Sequence, residues 1–285
     1  MNKSKGFTLV ELLVVIAIIA LLMAILMPTL SRVRKQAKSA SCRVTLHQWS
    51  LIWAMYCDDN DGKFCYATNS QGKGWPRGRW VLALREQYDT KSDILRCPMA
   101  VKPPIGTGTE NYGGPFNTYK MGKDGGIVLE DKCSYGANCW IYNPRPSDRA
   151  RGEIQDRPTA WNWITSTVRG TNQIPVFADS MWRGGGPTSG HPSEARPGLD
   201  ITRNHPPTYD GEWVGASGEM RHFCINRHSE KINMLFMDWS TRTVDLKELW
   251  TLKWHRKYVK TGPWTKAGKV LPRDWPQWMR TFKDY

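Results

Sequence analysis

An acidic side chain inside an apolar segment is the feature of this sequence with the clearest chemical meaning. Between Phe7 and Met27 only Thr8 and Glu11 are polar. A carboxylate at the centre of a membrane-spanning helix costs about 2.5–3.5 kcal/mol, so Glu11 indicates a function that needs its charge. The same segment contains no lysine, arginine or histidine. The neutralising cation could therefore be a free α-amino group that is created by cleavage and held by a neighbouring subunit.

The apolar segment that carries Glu11 is long enough to cross a membrane. At about 1.5 Å per residue it spans roughly 30 Å, the thickness of a bilayer core. A secretory signal peptide would be shorter and would end in a small-x-small cleavage site, which this segment lacks. Lys3 and Lys5 precede the segment, and the short leader fits a cytoplasmic N-terminus. We predict a single membrane span over residues 7–28, with a plain signal anchor as the alternative.

The residues around this span resemble a known processing signal. Lys5-Gly6, followed by Phe-Thr-Leu-Val-Glu-Leu-Leu-Val-Val-Ile, is similar to the class III signal of type IV pilins and type II secretion pseudopilins. The resemblance implies that prepilin peptidase removes residues 1–6 by cleaving after Gly6 and methylates the new N-terminal Phe7. Glu11 matches the acidic fifth mature residue of that family, and Pro28 matches a proline further along its helix.

The same resemblance implies a structural function. The chain would be a pilin or pseudopilin subunit of a type II secretion or type IV pilus-like filament, rooted in the bacterial inner membrane. Its partners would be prepilin peptidase and other pilin or pseudopilin subunits, and Glu11 would neutralise the Phe7 amine of the adjacent subunit. The head would face the periplasm or the outside of the cell.

A helical pattern continues beyond the span, through residues 29–62. We predict one helix from Phe7 to about Tyr56, roughly 75 Å long, which Pro28 should kink or locally unwind. One apolar stripe should pack on a sheet, and it consists of Leu30, Val33, Ala37, Ala40, Val44, Leu51 and Met55. Basic residues fill the other face and would meet either solvent or anionic lipid and neighbouring subunits; they are Arg32, Arg34, Lys35, Lys38 and Arg43.

The helix should end in an acidic turn at residues 56–62. A calcium loop of the EF type needs oxygen ligands at its first, third and fifth positions and a glycine at its sixth. Counting back from Gly62 places Cys57 at the first position, so the template fails. A helix C-terminal turn is therefore favoured over a calcium site.

Residues 63–285 should form the globular head. Short apolar runs at 174–178 and 232–237 predict strands, residues 80–84 predict a short helix, and stretches around 102–126 and 183–212 predict surface loops. The fold class is α+β, with one long helix packed on a small antiparallel sheet that carries large loop insertions.

Short segments of the head resemble a subgroup of prepilin-like proteins. They are Arg96-Cys97-Pro98, residues 134–138, residues 175–180 and Arg227-His228 through Asp238. The subgroup carries a C-terminal element of a histidine, nine residues, then Asp-Gly. Nine residues separate His228 from Asp238, but Trp239 replaces the glycine. The resemblance implies a pseudopilin-like head.

Neither catalysis nor metal binding has a clear signature. The chain lacks a Gly-x-Ser-x-Gly elbow and a phosphate-binding glycine loop. His228 and Asp238 could form an acid–base pair, but a structural role at opposite ends of one strand is favoured. The spacing of possible metal ligands is poor: Cys133 and Cys139 are six positions apart, and His222, Cys224 and His228 form only a loose group. We predict no enzymatic activity, no cofactor and no metal.

Seven cysteines, an odd number, exclude complete intramolecular pairing. They fit an oxidising compartment outside the inner membrane. Local disulfides are plausible for Cys57 with Cys65 and for Cys133 with Cys139, and Cys42 is the candidate for the unpaired thiol.

Tryptophan and arginine are the last unusual feature. The chain has 15 tryptophans, a net charge of +14 and a negative mean hydropathy, −0.54, which excludes a protein with many membrane spans. Aromatic faces beside guanidinium groups could bind an acidic polysaccharide or DNA, with nucleic acid the less favoured ligand. The alternative is that the tryptophans fill the core. The residues considered for binding are Trp75, Arg77, Arg79, Trp80, Trp275 and Trp278.

Overall fold

One long helix dominates the N-terminal part of the computed structural model, which describes residues 9–68, 78–88, 92–106, 111–124, 127–155, 157–187, 204–213 and 219–285. Helix α1, Leu9–Asp58, has 50 residues and is about 75 Å long. By length and composition it could cross a membrane, since its most apolar window has a mean hydropathy of 3.2 and none of that window is buried. The predicted long helix is confirmed.

Pro28 lies inside α1 without interrupting it. The Thr29 hydroxyl donates to the Leu26 carbonyl oxygen at 2.8 Å, a local bond that serine and threonine often make within helices. The prediction of local unwinding at Pro28 was therefore wrong, and a bend there stays a prediction.

The face of α1 that packs on the head differs from the predicted one. The stripe through Val44, Leu51 and Met55 is exposed along its length. The buried face instead consists of Cys42, Leu46, Trp49, Ser50, Ile52, Trp53 and Cys57. Because α1 has apolar residues on two faces, periodicity alone could not show which one meets the sheet. Full burial begins at Cys42, one turn after a bond from the head, which the Asn233 side chain donates to the Ser39 carbonyl oxygen at 3.2 Å.

The acidic segment after α1 forms the predicted C-terminal turn. The Gly62 amide donates to the Cys57 carbonyl oxygen at 2.7 Å, and the Asn60 side chain donates to the Tyr56 carbonyl oxygen at 2.7 Å. Gly62 has a φ of 72°, the left-handed conformation in which glycine commonly ends a helix.

A five-stranded sheet forms the centre of the head. Its strands are β3 (Tyr135–Asn138), β6 (Pro175–Asp179), β7 (Gly184–Gly185), β8 (Lys231–Phe236) and β9 (Thr241–Asp245), in the order β7-β3-β6-β8-β9. Only the pair of β3 with β7 is parallel. The two strands predicted from apolar runs, β6 and β8, are neighbours, with Ala178 opposite Met234.

Smaller elements surround this sheet. Two antiparallel pairs are β1 (Tyr119–Asp124) with β2 (Ile127–Cys133) and β4 (Glu153–Ile154) with β5 (Arg157–Pro158). The short helices are α2 (Arg79–Ala83), as predicted, α3 (Arg85–Tyr88) and α4 (Pro146–Arg151). Seven 3₁₀ helices among the described residues complete the list: Ser92–Leu95, Thr159–Trp161, Thr171–Gln173, Glu219–His222, Leu246–Thr251, Pro272–Asp274 and Gln277–Met279. Residues 119–124, predicted as part of a loop, are strand β1.

Two cores lie on opposite faces of the sheet, because alternate residues of a strand point to opposite sides. Leu235 packs in the core that contains the buried face of α1. Ile232, Met234 and Phe236 pack against the C-terminal segment. Both cores are rich in tryptophan, and every tryptophan of the chain except Trp75, which lies outside the described residues, is buried or half-buried. The tryptophan surplus therefore supplies core volume.

Candidate functional site

Four side chains that bear reactive atoms meet where α1 rests on the sheet. Cys42 projects from α1, Cys97 follows the helix Ser92–Leu95, Asp179 ends β6 and His228 precedes β8. All four are buried, and their thiol, carboxylate and imidazole atoms lie within 4.8 Å of one another. We call these residues the four-residue cluster.

The distances within the four-residue cluster show that its polar atoms converge on one point. His228 Nε2 lies 3.0 Å from Asp179 Oδ2 and 3.4 Å from Cys97 Sγ. Cys42 Sγ lies 3.6 Å from each oxygen of the Asp179 carboxylate. The Tyr135 hydroxyl adds a further contact, 3.3 Å from Cys42 Sγ.

Arg227 supports the cluster from the side of the carboxylate. Its guanidinium is fully buried and lies 3.1 Å from Asp179 Oδ1. It also donates to four backbone carbonyl oxygens, those of Gly114, Pro115, Ser134 and Ser180. A buried cation is tolerated only when it is paired and hydrogen-bonded in this way. Arg227 thereby joins the loops that surround the four-residue cluster.

The charges in this buried site shift the pKa values of its groups. Burial alone would raise the pKa of Asp179, but His228 and Arg227 outweigh burial and hold it well below the usual range. Burial would lower the pKa of His228, but the Asp179 carboxylate raises it to about 9. Burial raises the pKa of the Cys42 thiol. For Cys97 burial is outweighed by hydrogen bonds from Cys42 and His228 and by the charge of Arg227, and its pKa falls to about 7.

The geometry does not suit nucleophilic catalysis. A catalytic thiol, histidine and carboxylate use the two ring nitrogens separately, one for the nucleophile and one for the carboxylate. Here Cys97 and Asp179 both approach Nε2 of His228. Nδ1 of the same ring is buried and has no hydrogen-bond partner among the described residues. What the arrangement can do is present four ligand atoms to a single cation.

The segments that resemble the prepilin-like subgroup converge on this site. Cys97, Tyr135, Asp179 and His228 each come from a different one of those segments, and Cys42 joins them from α1. Sequence reasoning missed the four-residue cluster because its members are separated by 55, 82 and 49 positions, which matches no local metal-ligand spacing. The only sequence signal was that these segments stood out separately.

His228 and Asp238 lie at opposite ends of β8 and do not form an acid–base pair. His228 pairs with Asp179, whereas the exposed Asp238 carboxylate accepts from the Ser240 amide at 3.0 Å and from its hydroxyl at 2.6 Å. Trp239, which replaces the glycine of the subgroup, has a φ of 65°. The turn therefore keeps the conformation that glycine adopts most easily.

The predicted cysteine pairings are absent. All seven cysteines lie within the described residues, and each is buried and free of a disulfide. Cys42 forms no disulfide, as predicted, and the predicted Cys57–Cys65 and Cys133–Cys139 disulfides are not formed. His222 and Cys224 do not join His228, because Nδ1 of His222 bonds to the Gly184 carbonyl oxygen and Cys224 Sγ lies 3.9 Å from Met279 Sδ.

The residues considered for ligand binding are mostly inside the head. Trp80 is buried, donates to the Arg183 carbonyl oxygen at 2.6 Å and packs edge-on against Trp49 with ring centroids 5.3 Å apart. Trp275 is buried beneath Lys247. The prediction that Trp80 and Trp275 could lie on a binding surface was therefore wrong, because their side chains fill the core. Arg79 and Trp278 are half-buried, and Trp75 and Arg77 lie outside the described residues.

The predicted N-terminal processing signal is only partly within the described residues. Gly6 and Phe7 lie outside them, and Glu11 lies in the first turn of α1. Beyond this turn the side chains that would face lipid are exposed up to Met27.

Comparison with known proteins concerns mainly this end of the chain. Residues 1–27 match the family described as the prokaryotic N-terminal methylation motif. The chain is 46% identical over 61 residues to the type IV wide pilus major component PilA4 of Thermus thermophilus, an alignment that covers 21% of this chain. The chain spans about half the length of that curated relative, 47%. No solved structure matches the chain. The N-terminal part of the chain therefore carries the prokaryotic N-terminal methylation motif and is similar to a type IV pilus component.

Proposed function

We propose that this protein is a structural subunit of a membrane-rooted filament of the type IV pilus or type II secretion kind. The observation that carries the proposal is the exposed apolar surface of α1. Isolated in water, such a surface is unfavourable by about 25 cal/mol for each Å². A membrane would cover it before assembly, and neighbouring subunits would cover it in the filament.

Two parts of α1 contribute to this surface. The first part, up to Met27, suits lipid, because every large side chain in it is between 44% and 80% exposed. The second part is the stripe through Val44, Leu51 and Met55, which are 60%, 55% and 59% exposed. These three residues lie beyond the expected span and face away from the head, so lipid does not explain them. Packing against α1 of adjacent subunits explains why these three apolar side chains are exposed on a single subunit.

The N-terminus supplies the remaining parts of the proposal. Prepilin peptidase cleaves after Gly6, on the cytoplasmic side of the inner membrane, and methylates Phe7. Residues 7–28 then hold the subunit in the bilayer with residues 63–285 on the periplasmic or extracellular side. During assembly the Glu11 carboxylate pairs with the Phe7 amine of the adjacent subunit, which lowers the cost of both charges in an apolar environment.

Processing is tested by Gly6→Val in cells with an active prepilin peptidase. A β-branched side chain beside the scissile bond should leave the precursor uncut, which mass spectrometry of the N-terminal peptide detects. Unchanged protein in cells that lack the peptidase is the matched control. Normal cleavage of the Gly6 variant would remove this part of the proposal.

Assembly is tested by variants that fold and are processed. Glu11→Ala should be cleaved normally but should lower the amount of protein in sheared filament fractions. Val44→Ser with Leu51→Ser should do the same, while Gln48→Ser, on an exposed polar position of the same helix, should not. Filament yields equal to that of the unchanged protein for both Glu11→Ala and the stripe variant would refute the filament function.

A polysaccharide-binding function is not favoured. It would require aromatic faces on the surface of the head, and the described tryptophans are buried or half-buried. Salt-sensitive binding of an acidic polysaccharide to the full chain, lost on Trp278→Ala, is the result that would revive it.

A further inference from the structure

We propose that Cys42, Cys97, Asp179 and His228 bind a zinc ion that fastens α1 to the head. The site is separate from the features that support filament assembly, and it does not depend on them. Two thiolates, one imidazole and one carboxylate are a ligand set that zinc accepts, whereas calcium and magnesium prefer oxygen ligands alone.

The spacing of the ligand atoms fits a tetrahedron around zinc. With bonds of about 2.3 Å to sulfur and 2.0–2.1 Å to nitrogen and oxygen, neighbouring ligand atoms lie roughly 3.3–3.8 Å apart. The distance from Cys97 Sγ to His228 Nε2 is 3.4 Å, and that from Cys42 Sγ to Asp179 Oδ2 is 3.6 Å. The 3.0 Å between His228 Nε2 and Asp179 Oδ2 must open by a few tenths of an ångström, as expected when a cation replaces a hydrogen bond, and all four ligand atoms lie within 4.8 Å of one another.

Charge balance also favours a divalent cation. Two thiolates and one carboxylate carry three negative charges, and a His228 that binds metal through Nε2 is neutral. The zinc ion and Arg227, which is fully buried against Asp179, supply three positive charges. The buried site is then neutral, which avoids the high cost of an uncompensated charge in the interior.

Neighbouring groups hold the ligands without occupying the point where they converge. Arg227 binds the far carboxylate oxygen, Oδ1 of Asp179. The backbone amide of Asn233 donates to Oδ2 of Asp179 at 2.9 Å. The Tyr135 hydroxyl can donate to the Cys42 sulfur at 3.3 Å. Such second contacts orient metal ligands in proteins. With four protein ligands the site is closed, so the ion would be structural and not catalytic.

The consequence for the molecule is a cross-link between its two parts. Cys42 is the first buried residue of α1, about one turn from Ser39, which still contacts the head, and the helix continues from there toward the membrane. The other three ligands belong to the head. Zinc at this point would fix the start of the helix that emerges from the head, and it would protect two thiols from oxidation outside the cytoplasm.

Metal content and spectroscopy of the full chain test the proposal. The untagged protein is purified in detergent micelles, freed of metal by a chelator under reducing conditions and then titrated with Zn²⁺ or Co²⁺. We expect one ion per chain by elemental analysis. With Co²⁺ we expect a thiolate-to-metal charge-transfer band and the intense visible bands of tetrahedral cobalt.

Variants locate the site. Cys97→Ser and His228→Gln should reduce bound zinc to background, whereas Cys224→Ser, which alters a buried thiol outside the cluster, should keep the full amount. If a cluster variant does not fold, the cobalt spectrum of the unchanged chain decides. Three results would each overturn the proposal. They are a cobalt spectrum of the unchanged chain without the thiolate band, a zinc content of the unchanged chain no higher than that of Cys97→Ser, and a Cys42–Cys97 disulfide in protein isolated from its own membrane.

Discussion

His255 should make the head sensitive to mild acid. Its ring is stacked on Trp161, with centroids 5.0 Å apart and an interplanar angle of 17°, and lies 4.5 Å from the ring centroid of Trp140. Nδ1 is buried and has no hydrogen-bond partner among the described residues. Burial, followed by the nearby positive charge of Lys253, lowers the pKa of His255 from 6.5 to about 3.

The sign and size of the effect follow from proton linkage. Below pH 6.5 the unfolded chain binds a proton at His255 and the folded chain does not, so stability falls as the pH falls. The loss continues down to the folded pKa of about 3. Each pH unit in this window costs about 1.4 kcal/mol, so the change between pH 7 and pH 4.5 is about 2.7 kcal/mol.

The assay compares the unchanged protein with His255→Phe, which keeps an aromatic ring in the stack and cannot be protonated. Urea unfolding in detergent micelles is followed by tryptophan fluorescence at pH 7, 5.5 and 4.5. The difference in unfolding free energy between the two proteins cancels the contributions of Asp179 and the other titrating groups. It should shift by about 2.7 kcal/mol in favour of His255→Phe at the lowest pH. Parallel pH profiles for the two proteins would falsify the assignment of His255 as a buried neutral histidine.

Three further substitutions should change the unfolding free energy in defined ways. Trp239→Gly should be about 1 kcal/mol more stable than Trp239→Ala, because both lose the same packing but only alanine keeps the strain of the left-handed conformation. Gly136→Ala should destabilise by about 1–3 kcal/mol or more, because a Cβ would overlap the Trp182 carbonyl oxygen. Arg227→Met should destabilise by about 3–5 kcal/mol, because it removes one of the two cationic partners of the buried Asp179 carboxylate and the donor to four backbone carbonyl oxygens.

The same urea assay at pH 7 measures all three, with controls chosen from the surface. Gly262→Ala should be close to neutral, because its nearest atom would lie at 3.6 Å. Lys63→Met removes a partner from an exposed ion pair and should cost less than about 1 kcal/mol. Equal stability of the two Trp239 variants, or a Gly136 or Arg227 variant no less stable than its control, would contradict the corresponding contact.

Local patterns were sufficient for part of the fold. The apolar run and its continuation predicted α1, and short β-rich segments predicted β6 and β8, because these elements depend on residues close together in the chain. The turn after α1 followed from its acidic residues and Gly62 for the same reason. The face of α1 could not be predicted, since Val44, Leu51 and Met55 are as apolar as the residues that the head buries.

The sequence by itself predicted the long apolar helix, the N-terminal methylation motif of residues 1–27 and the acidic Glu11 inside the apolar segment, since each depends on consecutive residues and their polarity. Only the tertiary structure decided what the head does with its cysteines and tryptophans. It placed Cys42, Cys97, Asp179 and His228 together and buried tryptophans that could have formed a surface. The physical reason is that packing on both faces of the sheet joins residues far apart in the chain, and no local spacing records those contacts.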